Sequence, residues 1–461
     1  MTDISTDPRE LDRQFVFHPF TASGEHEANG SPAMIVSGKG ARLQGSDGRE
    51  YVDAMAGLWC VNVGYGRPEV AEAISAQAHQ LPFYHSFSGL STDKPAMLAE
   101  RVLALAGGSM SKIFFGNSGS DANDTQMKLV WLYNNLLGRH RKKKIIARSR
   151  GYHGVTIASA SLTGLPAMHS DFDLPLPQVR HVRAPYRLWE AQPGETDAQF
   201  SARLASELEA RIIAEDPATV AAFIAEPMQA AGGVIVPPQG YFAAIQAVLD
   251  RYDVLMIADE VVCGFGRLGQ WFGSDYFGIR PDLMTVAKGI TSGYVPLSGC
   301  MISERVWEVL STPEAGAFQH GYTYSSHPLA AAAALANLDV IENEGLVARA
   351  GQQGEKLRAA LADAFSDHPI VGEVRGAGLV AAVEFVAQRD PAVRFDPALK
   401  VGARVTRECL NRGVITRALP AADTISFSPP FVVTDDEIDI MVTVSRQATD
   451  AVTEQLATER A

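Results

Sequence analysis

Between Val254 and Lys288 the chain turns apolar twice, in Val254-Leu-Met-Ile-Ala258 and again in the residues that follow Asp282, Leu283-Met-Thr-Val-Ala287. Runs of this length suit strands buried on both faces. Each ends on charge: the first delivers Asp259 and Glu260, the second Lys288. Ligands of open α/β sheets bind just outside the carboxyl ends of parallel strands. An acid and an amine at two such ends therefore mark a candidate site, although either residue alone reads equally well as a strand end emerging into solvent.

The neighbouring segments extend the pattern. Lys112–Phe115, Lys144–Ala147 and Ala221–Ala225 read as strands, as does Gly299–Ser303. Asp121–Leu137, Ala202–Ala214 and Tyr241–Asp250 read as the helices between them. Such alternation predicts an α/β fold with a mostly parallel central sheet flanked by helices. The proline-rich stretch His169–Glu195 is expected to be surface loop. Towards the N-terminus, a frayed lead-in precedes short strands within Met34–Val52 and helices at Glu69–His79 and Lys94–Leu105. After an Ala-rich helix, Pro328–Glu342, the texture becomes α+β. Helices are expected at Gly351–Phe365, at Val401–Asn411 and from Asp435, with strands within Val371–Val386 and at Val414–Thr416 and Thr424–Ser428. The expected division is an N-terminal segment (1–75) belonging to a small domain, a large domain (76–330), and the rest of the small domain (331–461).

Composition narrows the function. A net charge of −13 argues against binding nucleic acid or anionic membrane. The one basic run, Arg139-His-Arg-Lys-Lys-Lys144, lacks interleaved aromatic residues and reads as a solvated helix end. The cysteines at 60, 263, 300 and 409 form no C-x-x-C pair, which speaks against a zinc site or a disulfide framework. The polar N-terminus does not resemble an export signal, and no apolar stretch reaches the roughly 20 residues of a membrane span. A cytoplasmic protein is expected.

Further strand ends carry chemistry. Lys112–Phe115 runs into Gly116-Asn-Ser-Gly-Ser120 and then a helix, which makes either a cup for a phosphate at a helix N-terminus or a plain N-cap. Gly264-Phe-Gly-Arg-Leu-Gly269 matches G-x-G-x-x-G, but no helical pattern opens after it, so a dinucleotide site is not expected. Tyr152-His153 follows Lys144–Ala147, and Glu226 ends Ala221–Ala225. One chemistry uses all of these groups, that of pyridoxal phosphate (PLP). A lysine amine forms a Schiff base with the cofactor, and a carboxylate keeps the pyridine nitrogen protonated. A Gly-Ser cup holds the phosphate, and an aromatic residue stacks on the ring. A charge-assisted bond of the carboxylate–pyridinium kind contributes roughly 1.5–3 kcal/mol.

With these residues in place, the sequence resembles the class III (ω-amino acid and amine) aminotransferases of PLP fold type I over residues 15 to 450. The resemblance rests on Gly57-Leu-Trp59, Asn117-Ser-Gly-Ser120, Tyr152-His-Gly154, Glu226-Pro227, Asp259-Glu-Val261, Gly264-Phe-Gly-Arg267 and Ala287-Lys-Gly289. It extends through His320-Gly-Tyr-Thr-Tyr324, His327-Pro328 and Val374-Arg-Gly-Ala-Gly-Leu379. A small departure is Ser325-Ser-His-Pro328, where many members have Ser-Gly-His-Pro. The resemblance implies that Lys288 is the catalytic residue carrying PLP and that Asp259 holds the ring nitrogen. It implies that Gly119 and Ser120 bind the phosphate, and that Tyr152 and Val261 cover the two ring faces with Glu226 in support. Thr323 would reach the cofactor of a neighbouring subunit, making a homodimer the minimal active unit, with a tetramer also open.

The implied reaction transfers an amino group from an ω-amino acid or primary amine to pyruvate or another 2-oxo acid. Alternatives within the class are a diamine, taurine or other specialised aminotransferase, or an aminomutase. Phe20, Trp59, Phe87 and Tyr152 match the aromatic wall of amine:pyruvate enzymes, although Phe20 and Phe87 read equally as core. Arg417 matches the mobile arginine that pairs with a keto acid carboxylate, for which a bidentate guanidinium is suited; the other reading is a surface arginine of the small domain.

Overall fold

The computed structural model describes residues 7–420 and 422–460. Residues 1–6, the start of the expected lead-in, lie outside them.

Seven strands make the central sheet: β1 (Met110–Gly116), β2 (Lys144–Arg148), β3 (Val179–Val182), β4 (Val220–Ala225), β5 (Leu255–Asp259), β6 (Leu283–Val286) and β7 (Ser298–Ser303). Their order is β1-β7-β6-β5-β4-β2-β3. From β3 to β6 every pairing is parallel, and β7 alone runs antiparallel to both its neighbours. The central strands β4 and β5 are buried along their whole length, which is why they read as unbroken apolar runs.

Side chains alternate between the faces. Ile145, Ala147, Ala222, Ile224 and Ile257 pack against Met127, Leu129 and Val130 of helix α1 (Gly119–Leu136). Ile146, Phe223, Ala225 and Met256 face the other way, against Leu204, Leu208 and Ile212 of α2 (Asp197–Ala214) and Ile245 and Leu249 of α3 (Tyr241–Tyr252). Each Ile, Leu, Val, Met or Phe among them contributes about 1.5–3 kcal/mol on burial.

The chain ends fold together. Strand Glu50–Asp53 pairs in parallel with Val414–Ile415, nearly the whole chain later. A second sheet orders Val371–Ala377, Val380–Phe385, Thr424–Phe427 and Arg417–Ala418. Val52, Leu357, Val383, Val405 and Met441 share one core between these sheets and the C-terminal helices.

Three expectations need correction. The stretch His169–Glu195 is not all loop: it contains β3, whose four residues Val-Arg-His-Val at the sheet edge are too few and too polar to show a strand pattern. The lead-in is helical at Pro8–Phe15, with Asp7 as N-cap, and again at Ser23–Asn29. The basic run is not simply solvated. Arg139 pairs with Asp253 at 2.6 Å and Arg141 with Asp216 at 2.8 Å. Lys142 is buried, donating to the carbonyls of Tyr252 and Asp253 at the C-terminus of α3, where a helix dipole favours a cation.

Candidate active site

The carboxyl ends of β1, β2, β4, β5 and β6 open on one cavity of about 230 Å³. Gly119, Ser120, Tyr152, Glu226, Asp259, Val261 and Lys288 all line it. Because β7 reverses direction between β6 and β1, β1 ends on the same side as the parallel strands.

Asp259, only 2% exposed, ends β5. Its Oδ2 accepts a bond from the Asn123 amide at 2.9 Å and faces His153 Nδ1 at 2.8 Å; its Oδ1 accepts from the Val261 N–H at 3.1 Å. Asn123 is itself fixed, donating to the His153 carbonyl at 2.7 Å and accepting from Thr285 at 2.8 Å. A carboxylate held by this many donors is a preorganised acceptor for a cationic N–H. Glu226 receives the N–H groups of Tyr152 (3.0 Å) and Ala230 (2.9 Å), and burial raises its pKa above the ordinary glutamate value. Its bonds fix the loop that presents the Tyr152 ring.

Lys288 follows β6 in a left-handed backbone conformation, φ +48°. Non-glycine residues held there are strained, and such strain concentrates at functional sites. Desolvation pushes the lysine pKa below its usual value. The amine is thereby biased towards its neutral, nucleophilic form.

The cup at α1 is built by a reciprocal cap. Ser118 Oγ accepts from the Asp121 N–H at 3.2 Å, and the Asp121 carboxylate accepts from the N–H groups of Asn117 and Ser118 at 2.9 and 3.1 Å. Gly119 and Ser120 then form the first turn of α1, where N–H groups have no acceptor within the helix. Two glycines keep the cup open. A Cβ on Gly119 would stand 3.0 Å from Val261 Cγ2, and one on Gly154 (φ +132°) would stand 2.5 Å from Ser120 Oγ.

Trp59 is buried in the wall, also at positive φ (+58°), and its Nε1 has no hydrogen-bond partner among the described residues. Lys288 Nζ lies 5.9 Å from its ring centroid and the Arg417 guanidinium 5.0 Å from the same centroid. Among the described residues no carboxylate pairs with Arg417, and desolvation lowers its pKa. Phe20 lines the mouth although it is 67% exposed. Phe87 and Thr323 stand apart from this cavity: both are exposed, and the Phe87 ring packs on Gly321.

Several contributors carried no signal in the sequence. Asn123 sits inside an amphipathic helix, and nothing local marks it as the partner of an aspartate 136 positions away. His153 stood out only as part of an aromatic pair. Leu58, Met168, Val262 and Pro420 complete the lining from four separate segments.

The class III aminotransferase family model matches residues 23–448. The chain belongs to the class III aminotransferases. It is 51% identical to the diaminobutyrate–2-oxoglutarate transaminase of Halomonas elongata, over 98% of this chain and 97% of that one. It is 46% identical to the mitochondrial gamma aminobutyrate transaminase 1 of Solanum lycopersicum, over 97% of this chain and 87% of that one. The ω-transaminase of Pseudomonas jessenii, solved in complex with PMP, superposes with a TM-score of 0.95 at 45% identity, covering 98% of this chain and 99% of that one. The architecture is PLP fold type I, and the enzyme is a PLP-dependent aminotransferase acting on small amines and keto acids. The site suits that cofactor: a desolvated amine, a fixed carboxylate and a glycine-lined helix N-terminus face one cavity.

Proposed function

We propose that this aminotransferase moves the amino group of an ω-amino acid or primary amine to pyruvate or another 2-oxo acid. The observation that carries this reading is Arg417, which no carboxylate pairs among the described residues, set over the same Trp59 ring that Lys288 approaches. A guanidinium so placed binds the carboxylate of a keto acid bidentately. For an amine without a carboxylate, the faces of Trp59 and Tyr152 supply apolar contact instead.

When bound, PLP supplies an electron sink for the carbon that loses its proton. Lys288 would hold the cofactor through its Nζ, and the same amine, when free, would move the proton at the substrate carbon. Neutrality, favoured by desolvation, is what this work requires. A positioned base of this kind contributes typically about 10²–10⁴-fold. Asp259 would hold the ring nitrogen, its own position being fixed by Asn123 and His153. Tyr152 and Val261, which line the cavity, would cover the two faces of the ring, with Glu226 anchoring the Tyr152 loop. Gly119 and Ser120 offer N–H groups to the phosphate.

Thr323, exposed and outside this chain's own cavity, is assigned to the phosphate of the partner's site in a homodimer. The division into a large domain (76–330) and a small one (1–75 with 331–461) belongs to the same proposal, supported by the pairing of Val52 with Val414. A cytoplasmic setting completes it.

A second reading, a diamine donor with 2-oxoglutarate, is favoured by the name of the Halomonas relative. Against a diamine without a carboxylate, such as putrescine, Arg417 would repel the second ammonium group, and the carboxylates of Asp259 and Glu226 are already engaged. A panel of β-alanine, an aryl-alkyl amine, putrescine and diaminobutyrate, each assayed with pyruvate and with 2-oxoglutarate, separates the two. Alanine formed from the first two donors is expected; turnover confined to diamines with 2-oxoglutarate would replace this reading with the second.

A further inference from the structure

The N-terminal arm holds a cluster that the aminotransferase site does not use. Helix Pro8–Phe15 carries Asp12, helix Ser23–Asn29 carries His26, and His18 lies on the connection between them. His18 Nε2 is 2.9 Å from Asp12 Oδ1, and His26 Nε2 is 3.7 Å from Asp12 Oδ2. The two imidazoles tilt towards each other with centroids 4.3 Å apart. His26 is only 9% exposed, and its Nε2 has no hydrogen-bond partner among the described residues although it points at the carboxylate. Ser31 Oγ donates to Asp12 Oδ2, the oxygen that also faces His26, and so orients the carboxylate.

We propose that Asp12, His18 and His26 form a binding site for a divalent transition-metal ion that clips the N-terminal arm. The donor set decides the class of ion. Two imidazole nitrogens and one carboxylate suit zinc, cobalt, nickel or copper, whereas calcium and magnesium require shells of oxygen. Bonds of about 2.0–2.2 Å in a tetrahedral site place neighbouring donor atoms roughly 3.3–3.6 Å apart. One donor atom from each of the three residues lies within 4.8 Å of the others, so the side chains close in by an ångström or so to seat an ion. Three protein donors leave the fourth position to water. The bond from Ser31 is the kind of outer contact that orients a ligating carboxylate. The unpartnered His26 nitrogen is the atom that a metal satisfies.

The position gives the site a consequence. Phe20 lies in the segment between His18 and His26 and lines the mouth of the substrate cavity. An ion tying this segment to both helices restrains the ring that an incoming amine must pass.

The test uses holoenzyme freed of metal and of excess cofactor, titrated with Co²⁺ and followed by visible d–d absorption, with equilibrium dialysis against Zn²⁺ for stoichiometry. One equivalent per chain is expected. His18→Ala and His26→Ala are each expected to weaken it by at least the roughly 10–100-fold that loss of an orienting group costs. His79→Ala, at an exposed position of the helix Pro68–Gln80, is expected to bind as the parent does. The cofactor's own absorption reports folding; should His26→Ala lose it, the more exposed His18→Ala decides alone. Absence of a bound equivalent in the parent, or unchanged affinity in His18→Ala, overturns the proposal.

Discussion

At the scale of single residues, the centre of the molecule is a desolvated amine and a carboxylate fixed by hydrogen bonds. Lys288 is desolvated and biased towards neutrality, while the Asp259 carboxylate is fixed in place by the Asn123 amide and the Val261 N–H. Lys288→Ala is expected to abolish covalent capture of the cofactor. Borohydride reduction followed by mass analysis should then leave the chain without added mass; retained mass would place the attachment elsewhere. Arg417→Ala is expected to raise KM for pyruvate by about 10- to 100-fold, as loss of a charge-assisted bond of roughly 1.5–3 kcal/mol requires. KM for an amine lacking a carboxylate should change little, and equal increases for both substrates would count against the carboxylate role. Lys288, Asp259, Tyr152 and Arg417 were legible in the sequence because each sits at a strand end or in a recognisable motif. Asn123 was not, because its role depends on a contact across 136 positions that no local pattern records.

At the scale of elements, strands and loops hold these groups in register. Phe223, fully buried in β4 against α2 and α3, is where truncation should cost most. Phe223→Ala is expected to lose about 3–5 kcal/mol, read as a lower denaturant midpoint with the m-value retained. Glu260 ties the start of the short helix Gly273–Phe277, accepting from the N–H groups of Gly273 and Ser274 and from the Ser274 hydroxyl. Burial pushes its carboxyl up to about 7. Between the ordinary glutamate value and that point, the folded state holds a proton that the unfolded chain has released. Stability therefore falls as pH rises through this window, by on the order of 3 kcal/mol, and the loss is complete above it. Glu260→Gln lacks this dependence, so the denaturation midpoint of the parent should decline relative to the variant from pH 5 to pH 8. Parallel profiles would show that the acid titrates normally. The long α/β alternation was visible because buried parallel strands are continuous apolar runs. Strand β3 was not, since an edge strand of Val-Arg-His-Val acquires its identity only by pairing with β2.

At the scale of the whole molecule, the site depends on segments far apart in the chain. Trp59 from the N-terminal part and Arg417 from the C-terminal part meet over one ring. The proposed homodimer adds Thr323 from a second chain, and mixed dimers test this directly. A dimer of one Lys288→Ala chain and one Thr323→Arg chain should contain a single intact site if the threonine acts across the interface. Activity is then expected to return on mixing two inactive homodimers. Were Thr323 to serve its own chain's site, both sites of the mixed dimer would be defective and no activity would return.

By itself the sequence determined the alternation of strands and helices, the acid and amine at two strand ends, and the glycine-serine turn before α1. These are local patterns, set by burial periodicity and by the backbone freedom of small residues. Tertiary structure alone decided which strand ends share a cavity, which helix supplies the donors to Asp259, and where Phe20, Trp59 and Arg417 come to rest. Those outcomes depend on strand order and on chain ends that close together. Such contacts form between residues hundreds of positions apart, at distances that no stretch of sequence encodes.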